Sequence, residues 1–169
     1  MRDFSADHRW LSLNTATVRK QGDLVQIIEA CARHGIRAID PWRDQVAAIG
    51  LDRAVRAVRD AGLELSGYCR GGMFTSDAAR RIEARDDNRR AIDEAKALGA
   101  PCLVLVVGGL PQFSRPGSAA SNDITGARAQ VHDAIAEIIL LCIAAEVAKG
   151  EDRDRGLVRK RQRLTLLPQ

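Results

Sequence analysis

Five residues stand where side-chain chemistry could meet a ligand: Asn14, Trp42, Arg43, Cys69 and Arg70. Each lies just past a short apolar run, "LSL", "IRAID" or "LELSGY". An amide and two guanidinium forks can grip hydroxyl groups or a phosphate, and an indole offers a flat apolar wall. The competing expectation is structural: either arginine could pair with Asp40 or Asp44 and hold a loop. Gly71 and Gly72 would let the backbone turn sharply towards a ligand, although paired glycines are also an ordinary loop signal. No histidine or glutamate falls at these run ends, and Asp40 is the one carboxylate among them. Metal binding needs a cluster of such ligands, and acid–base chemistry usually needs two positioned titratable groups. The stretch therefore reads as a place to hold a substrate.

The elements that must position these residues follow from periodicity. "WLSLNTATV" (10–18) alternates as a strand, and "GDLVQIIEACARHG" places Leu24, Ile27, Ile28 and Cys31 at the i, i+3, i+4, i+7 spacing of an amphipathic helix. Gly35 suits the left-handed position past its end, and His34 suits its last turn, where the helix dipole favours a cation. The unit then repeats. "IRAID" (36–40) is a strand, "LDRAVRAVRDAG" a helix, and "LELSGYC" (63–69) a third strand. Ser76 can cap the next helix, which ends "NRRAIDEAKALGA". "CLVLVVGG" (102–109), apolar without alternation, is expected to be a strand covered on both faces. A fourth helix starts near Asp123 or Thr125 and carries His132, which reads as a surface or satisfied histidine.

Four strand-then-helix units imply an α/β fold with parallel strands and right-handed crossovers. An open doubly wound sheet and part of a (β/α)8 barrel both satisfy that pattern. "NTATVRKQGD" has neither the glycine-rich dinucleotide fingerprint nor a P-loop, which favours the barrel. In either case ligands bind at the carboxyl ends of the strands, where the five residues fall.

Composition bounds the reading. With 169 residues and 46% hydrophobic side chains the chain can bury a core. It shows no secretion signal and no membrane-length apolar run, so a cytoplasmic protein is expected. Four cysteines, 33 to 40 residues apart, argue for reduced, mostly buried thiols. The net charge of +4 resides in Arg159, Lys160, Arg161 and Arg163. A basic cluster without interleaved aromatics reads as a solvated tail, so nucleic acid is not an expected partner.

"LSLNTATV", "HGIRAIDPWRD", "AGLELSGYCRGGMF", "DDNRRAIDEAKALGAPCLVLVVGGLP" and "GARAQVHDAIAEI" together resemble the xylose isomerase-like TIM barrels, a family of sugar phosphate isomerases and epimerases. The resemblance spans about residues 10–138 and is most specific in the helix leading into the fourth strand. It implies a sugar or sugar phosphate substrate and a divalent metal, Mn or Mg, that chelates two sugar oxygens while glutamates move a proton beside the carbonyl. The family draws its metal ligands from the fifth to eighth strands, for which this chain shows no counterpart. Residues 1–150 then correspond to the N-terminal half of the barrel, about four βα units, and 151–169 to a basic tail or remnant strand. On that reading the chain is truncated and inactive alone, and Asn14, Trp42, Arg43, Cys69 and Arg70 remain as substrate contacts. A noncatalytic module that assembles through its open strand edges, as a homo-oligomer, is the alternative. Relatives that cut abasic DNA make nucleic acid a third and weaker one.

Overall fold

Apolar spacing turns into helices packed on one side of a row of parallel strands. A computed structural model describes residues 10–75, 78–108 and 123–142. Strands β1 (Ser12–Asn14), β2 (Ala38–Asp40) and β3 (Glu64–Leu65) pair in that order, with Leu13 opposite Ile39 and Ile39 opposite Leu65. Strands β4 (Tyr68–Gly72) and β5 (Leu103–Val106) form a second parallel ladder, whose register slips between Cys69 and Gly71. The two ladders meet through one bridge between Trp42 and Cys69, where the Cys69 N–H donates to the Pro41 carbonyl at 2.9 Å.

The helices are α1 (Leu24–Arg33), α2 (Arg43–Ile49), α3 (Leu51–Asp60), α4 (Ala78–Leu98) and α5 (residues 124–142). Asp23 starts α1 with a full capping box: its carboxylate accepts the Gln26 N–H, and the Gln26 side chain accepts the Asp23 N–H, both at 2.9 Å. Leu24, Ile27, Ile28 and Cys31 are its buried face, as their spacing predicts. They join Ile39, Val46, Ala54, Val58, Tyr68, Ala95 and Leu98 in one core between helices and sheet. Burying a Leu or Ile side chain contributes about 1.5–3 kcal/mol, so this face alone fixes α1 to the sheet. Leu13, Leu65 and Leu103 point the same way, and strand alternation turns Ser12, Asn14, Asp40 and Glu64 to the opposite face.

Several boundaries differ from the periodicity. The first strand stops at Asn14, whose side chain accepts the Ala16 N–H at 3.0 Å and draws Thr15–Val18 into a single 3-10 turn. The third strand is interrupted at Ser66 and Gly67, between the part that pairs with β2 and the part that pairs with β5. Helix α2 buries one apolar side chain, Val46, too few to leave a pattern, and Gly50 at φ 87° separates it from α3. In β5, Val104 and Val106 are open to solvent, so one face of that strand is uncovered among the described residues. Of the four free cysteines, Cys31 and Cys69 are buried while Cys102 and Cys142 are exposed. Ser76, the basic cluster at 159–163 and the tail at 151–169 lie outside the described residues. No helix among the described residues is long and apolar enough to cross a membrane.

Candidate functional site

A pocket of about 320 Å³ opens at the carboxyl ends of β2 and β4, lined by Trp42, Arg43, Asp44, Arg70, Gly71 and Met73, with Arg19 and Asp87 at its sides. Three of the five expected residues, Trp42, Arg43 and Arg70, therefore share one wall system. Asn14 stands behind them. Its Oδ1 accepts the Trp42 indole N–H at 2.9 Å while its Nδ2 donates to Asp40 at 3.4 Å, so it fixes the plane of the indole. Cys69 is buried beside the bridge to Trp42, and burial, then the Asp40 charge, pushes its thiol pKa up. A thiol held in its neutral form is a poor nucleophile.

The two arginines at this rim differ in what they hold. Arg43 does not pair with Asp40 or Asp44; its Nε and Nη2 donate to Glu94 at 2.8 and 3.0 Å, and Nη1 and Nη2 donate to Asp87 at 2.7 and 3.2 Å. The Tyr68 hydroxyl donates to the same Glu94 at 2.8 Å. These bonds hold Arg43 firmly charged, the Glu94 bond first among them. Burial pushes the Glu94 carboxyl up, but the hydrogen bonds from Arg43 and Tyr68 outweigh it and leave it below its ordinary value. Asp87 is lowered chiefly by its hydrogen bond from Arg43. Burial, then Glu94, raises the Tyr68 phenol. Arg70, by contrast, projects from β4 into solvent and makes no ion pair among the described residues.

Gly71 and Gly72 lie within β4, where the close approach they permit is to protein. A Cβ on Gly71 would stand 2.8 Å from the Asn88 amide oxygen and 2.9 Å from a Leu103 methyl. Gly72, at φ 109°, packs against the Val106 backbone. Asn88, buried on α4, accepts the Gly72 N–H at 2.5 Å and donates to the Gly72 and Ala84 carbonyls at 2.8 and 2.7 Å. This amide satisfies the N–H and carbonyl of Gly72 from the helix side.

The residues expected at the strand ends do not include Arg19, Asp87, Asn88 or Glu94. Arg19 follows the 3-10 turn, lies 5.5 Å above the Trp42 ring, and donates from Nη1 to Asp44 at 3.0 Å. No local pattern links it to a tryptophan 23 positions on. For α4 a signal exists: Asp87, Asn88, Ala91, Glu94, Ala95 and Leu98 follow the 3.6-residue period, so its polar members share the face that packs on the strands.

Asp40 Oδ1 is a buried acceptor without a hydrogen-bond partner, and burial raises the carboxyl above its ordinary value. No group of three His, Cys, Asp or Glu side chains converges among the described residues, so they do not fit a divalent ion.

Comparison with known proteins places this geometry. Residues 28–148 match the family model described as the xylose isomerase-like TIM barrel. The crystal structure of a protein from Sinorhizobium meliloti 1021 is 51% identical and superposes with a TM-score of 0.74 over 82% of this chain and 48% of that one. The chain thus spans about half the length of that protein. No curated protein matches it. With a family match over more than half its length, and with parallel strands backed by helices, the chain belongs to the xylose isomerase-like TIM barrel family as a partial barrel.

Proposed function

We propose that the chain carries the substrate-binding rim of a sugar or sugar phosphate isomerase or epimerase. The observation behind this reading is the pocket at the carboxyl ends of β2 and β4, lined by Trp42 and the solvent-facing Arg70. An indole face suits the apolar side of a sugar ring, and a guanidinium suits its oxygens or a phosphate. Asn14 orients the indole, Cys69 packs beneath the rim, and Arg43 holds the rim to α4 while facing the same pocket. Metal-dependent proton transfer beside the sugar carbonyl, with Mn or Mg, is the chemistry the family resemblance implies, and the rim residues of this chain would contribute substrate binding to it rather than metal ligands. The test is an isomerase and epimerase assay on the purified chain with added manganese, alongside calorimetric sugar binding. Sugar binding without turnover is expected. Metal-dependent turnover by this chain alone would overturn that division of labour, and absence of any sugar binding would overturn the reading itself.

A second reading rests on β5, where Val104 and Val106 stand 39% and 37% exposed on a strand that pairs on one side only among the described residues. Apolar residues on an uncovered edge favour assembly with another chain. The chain would then be a noncatalytic module that oligomerises. Light scattering that returns a well-folded monomer at high concentration rules this out.

A further inference from the structure

We propose that Arg19 and Arg70 together form an anion subsite over Trp42 that selects a phosphoryl group, with Asp44 as the internal anion that the ligand displaces. The inference rests on the sugar-binding reading and names the substrate class of that same pocket. Three guanidinium groups line it. Arg43 is spoken for: it is 18% exposed and makes four hydrogen bonds to two carboxylates, so releasing it would strand both. Arg70 has no ion pair among the described residues and faces solvent. Arg19 lies between these extremes, with one bond to Asp44 in a pair whose side chains are 42% and 58% exposed.

An exposed pair of that kind is weak and easily exchanged. The Trp42 face below Arg19 attracts the cation whether or not Asp44 is bound, and Asn14 holds the indole. Loss of Asp44 as a partner would therefore leave Arg19 charged, desolvated on one side by the ring, and beside the same cavity as Arg70. Two forks of charge +1 suit a phosphoryl dianion, whose three oxygens can accept from both, better than they suit a neutral hydroxyl. Asp44 stays nearby, and its repulsion of the bound anion sets a limit on affinity.

The test uses the full chain carrying Trp10→Phe, so that indole fluorescence reports Trp42 alone, titrated with inorganic phosphate, a hexose, the same hexose bearing a phosphate, and the corresponding sugar acid. Quenching by phosphate and a tenfold or greater preference for the hexose phosphate over the hexose are expected. Arg70→Gln should reduce phosphate binding at least tenfold and Arg19→Gln several-fold, with circular dichroism unchanged. Asp44→Asn should tighten phosphate binding by up to about fivefold, since Arg19 no longer has a competitor; a purely structural Asp44 would leave it unchanged or weaker. Equal binding of hexose and hexose phosphate, insensitive to Arg19 and Arg70, overturns the subsite while the sugar-binding reading stands. Binding of the sugar acid as tight as the phosphate overturns phosphoryl selection. Phosphate that binds through both arginines while no sugar adds affinity supports the subsite and overturns the sugar-binding reading.

Discussion

Asp40 and Arg43 are three residues apart and show how burial treats opposite charges. The Asp40 carboxyl has one weak donor, Asn14, and one oxygen without any, so its ionised form is disfavoured. A native pKa above the unfolded value means that the folded state binds the proton more tightly. The cost of the charge is thus fully present above the native pKa and disappears as the pH falls towards the unfolded one. Asp40→Asn is expected to raise stability at neutral pH by about 1 kcal/mol, with the gain fading through the carboxylate range. Urea unfolding at several pH values measures it, and a gain that persists in acid would refute the assignment. Arg43 is the reverse case. Asp87 and Glu94 have native pKa values below their unfolded ones, so their contribution is present above the unfolded values and is lost as the pH drops through the native ones. Arg43→Ala should cost about 2–3 kcal/mol at neutral pH, between an exposed and a fully buried pair, and the gap to the native protein should narrow in acid. Arg43→Lys should recover part of this, since an ammonium can reach one carboxylate but lacks the fork that spans both.

At the scale of elements, α4 is tied to the strands by polar bonds more than by a continuous apolar stripe. Its inward face carries Asn88 on the Gly72 backbone and Glu94 beneath Tyr68 and Arg43, with Ala91 and Ala95 providing close approach. Asn88→Ala leaves the Gly72 N–H and carbonyl without this partner and is expected to cost about 1–3 kcal/mol, read from a lowered urea midpoint. Gly71→Ala should destabilise by a similar amount, because its methyl meets the Asn88 amide and Leu103; an unchanged midpoint would show that α4 can shift to admit it. These elements also show what the sequence made legible. Helix α1 announced itself because four apolar residues at regular spacing bury themselves and Gly35 marks its end. Helix α2 left no trace, having one buried apolar side chain. The early end of β1 turned on a single Asn14 side chain bonding its own backbone, a local choice that a periodicity average cannot register.

For the molecule as a whole, strand-then-helix repetition and the missing phosphate loop were enough to indicate a parallel α/β barrel portion, and the parallel ladders agree. The rim was partly legible for the same reason: in such folds strand ends converge, so Trp42, Arg43 and Arg70 could be grouped from order alone. Their differing commitments were not, because Arg43 finds its partners 44 and 51 residues away on α4. The exposed Val104 and Val106 make a prediction at this scale: Val104→Lys with Val106→Lys should leave the unfolding midpoint nearly unchanged if β5 is a free edge, and should dissociate any oligomer that forms there, as read by light scattering.

The interruption at Ser66 and Gly67 has a mechanical side. It divides the strands into two plates coupled at a seam by the Trp42–Cys69 bridge and the Cys69 N–H bond to Pro41. Trp42 belongs to one plate and Arg70 to the other, so anything gripped by both acts as a staple across the seam. Occupancy of the pocket should therefore slow amide exchange at Cys69 more than at Ile39, which lies inside a plate, making the stiffness of the joint itself a gauge of what is bound.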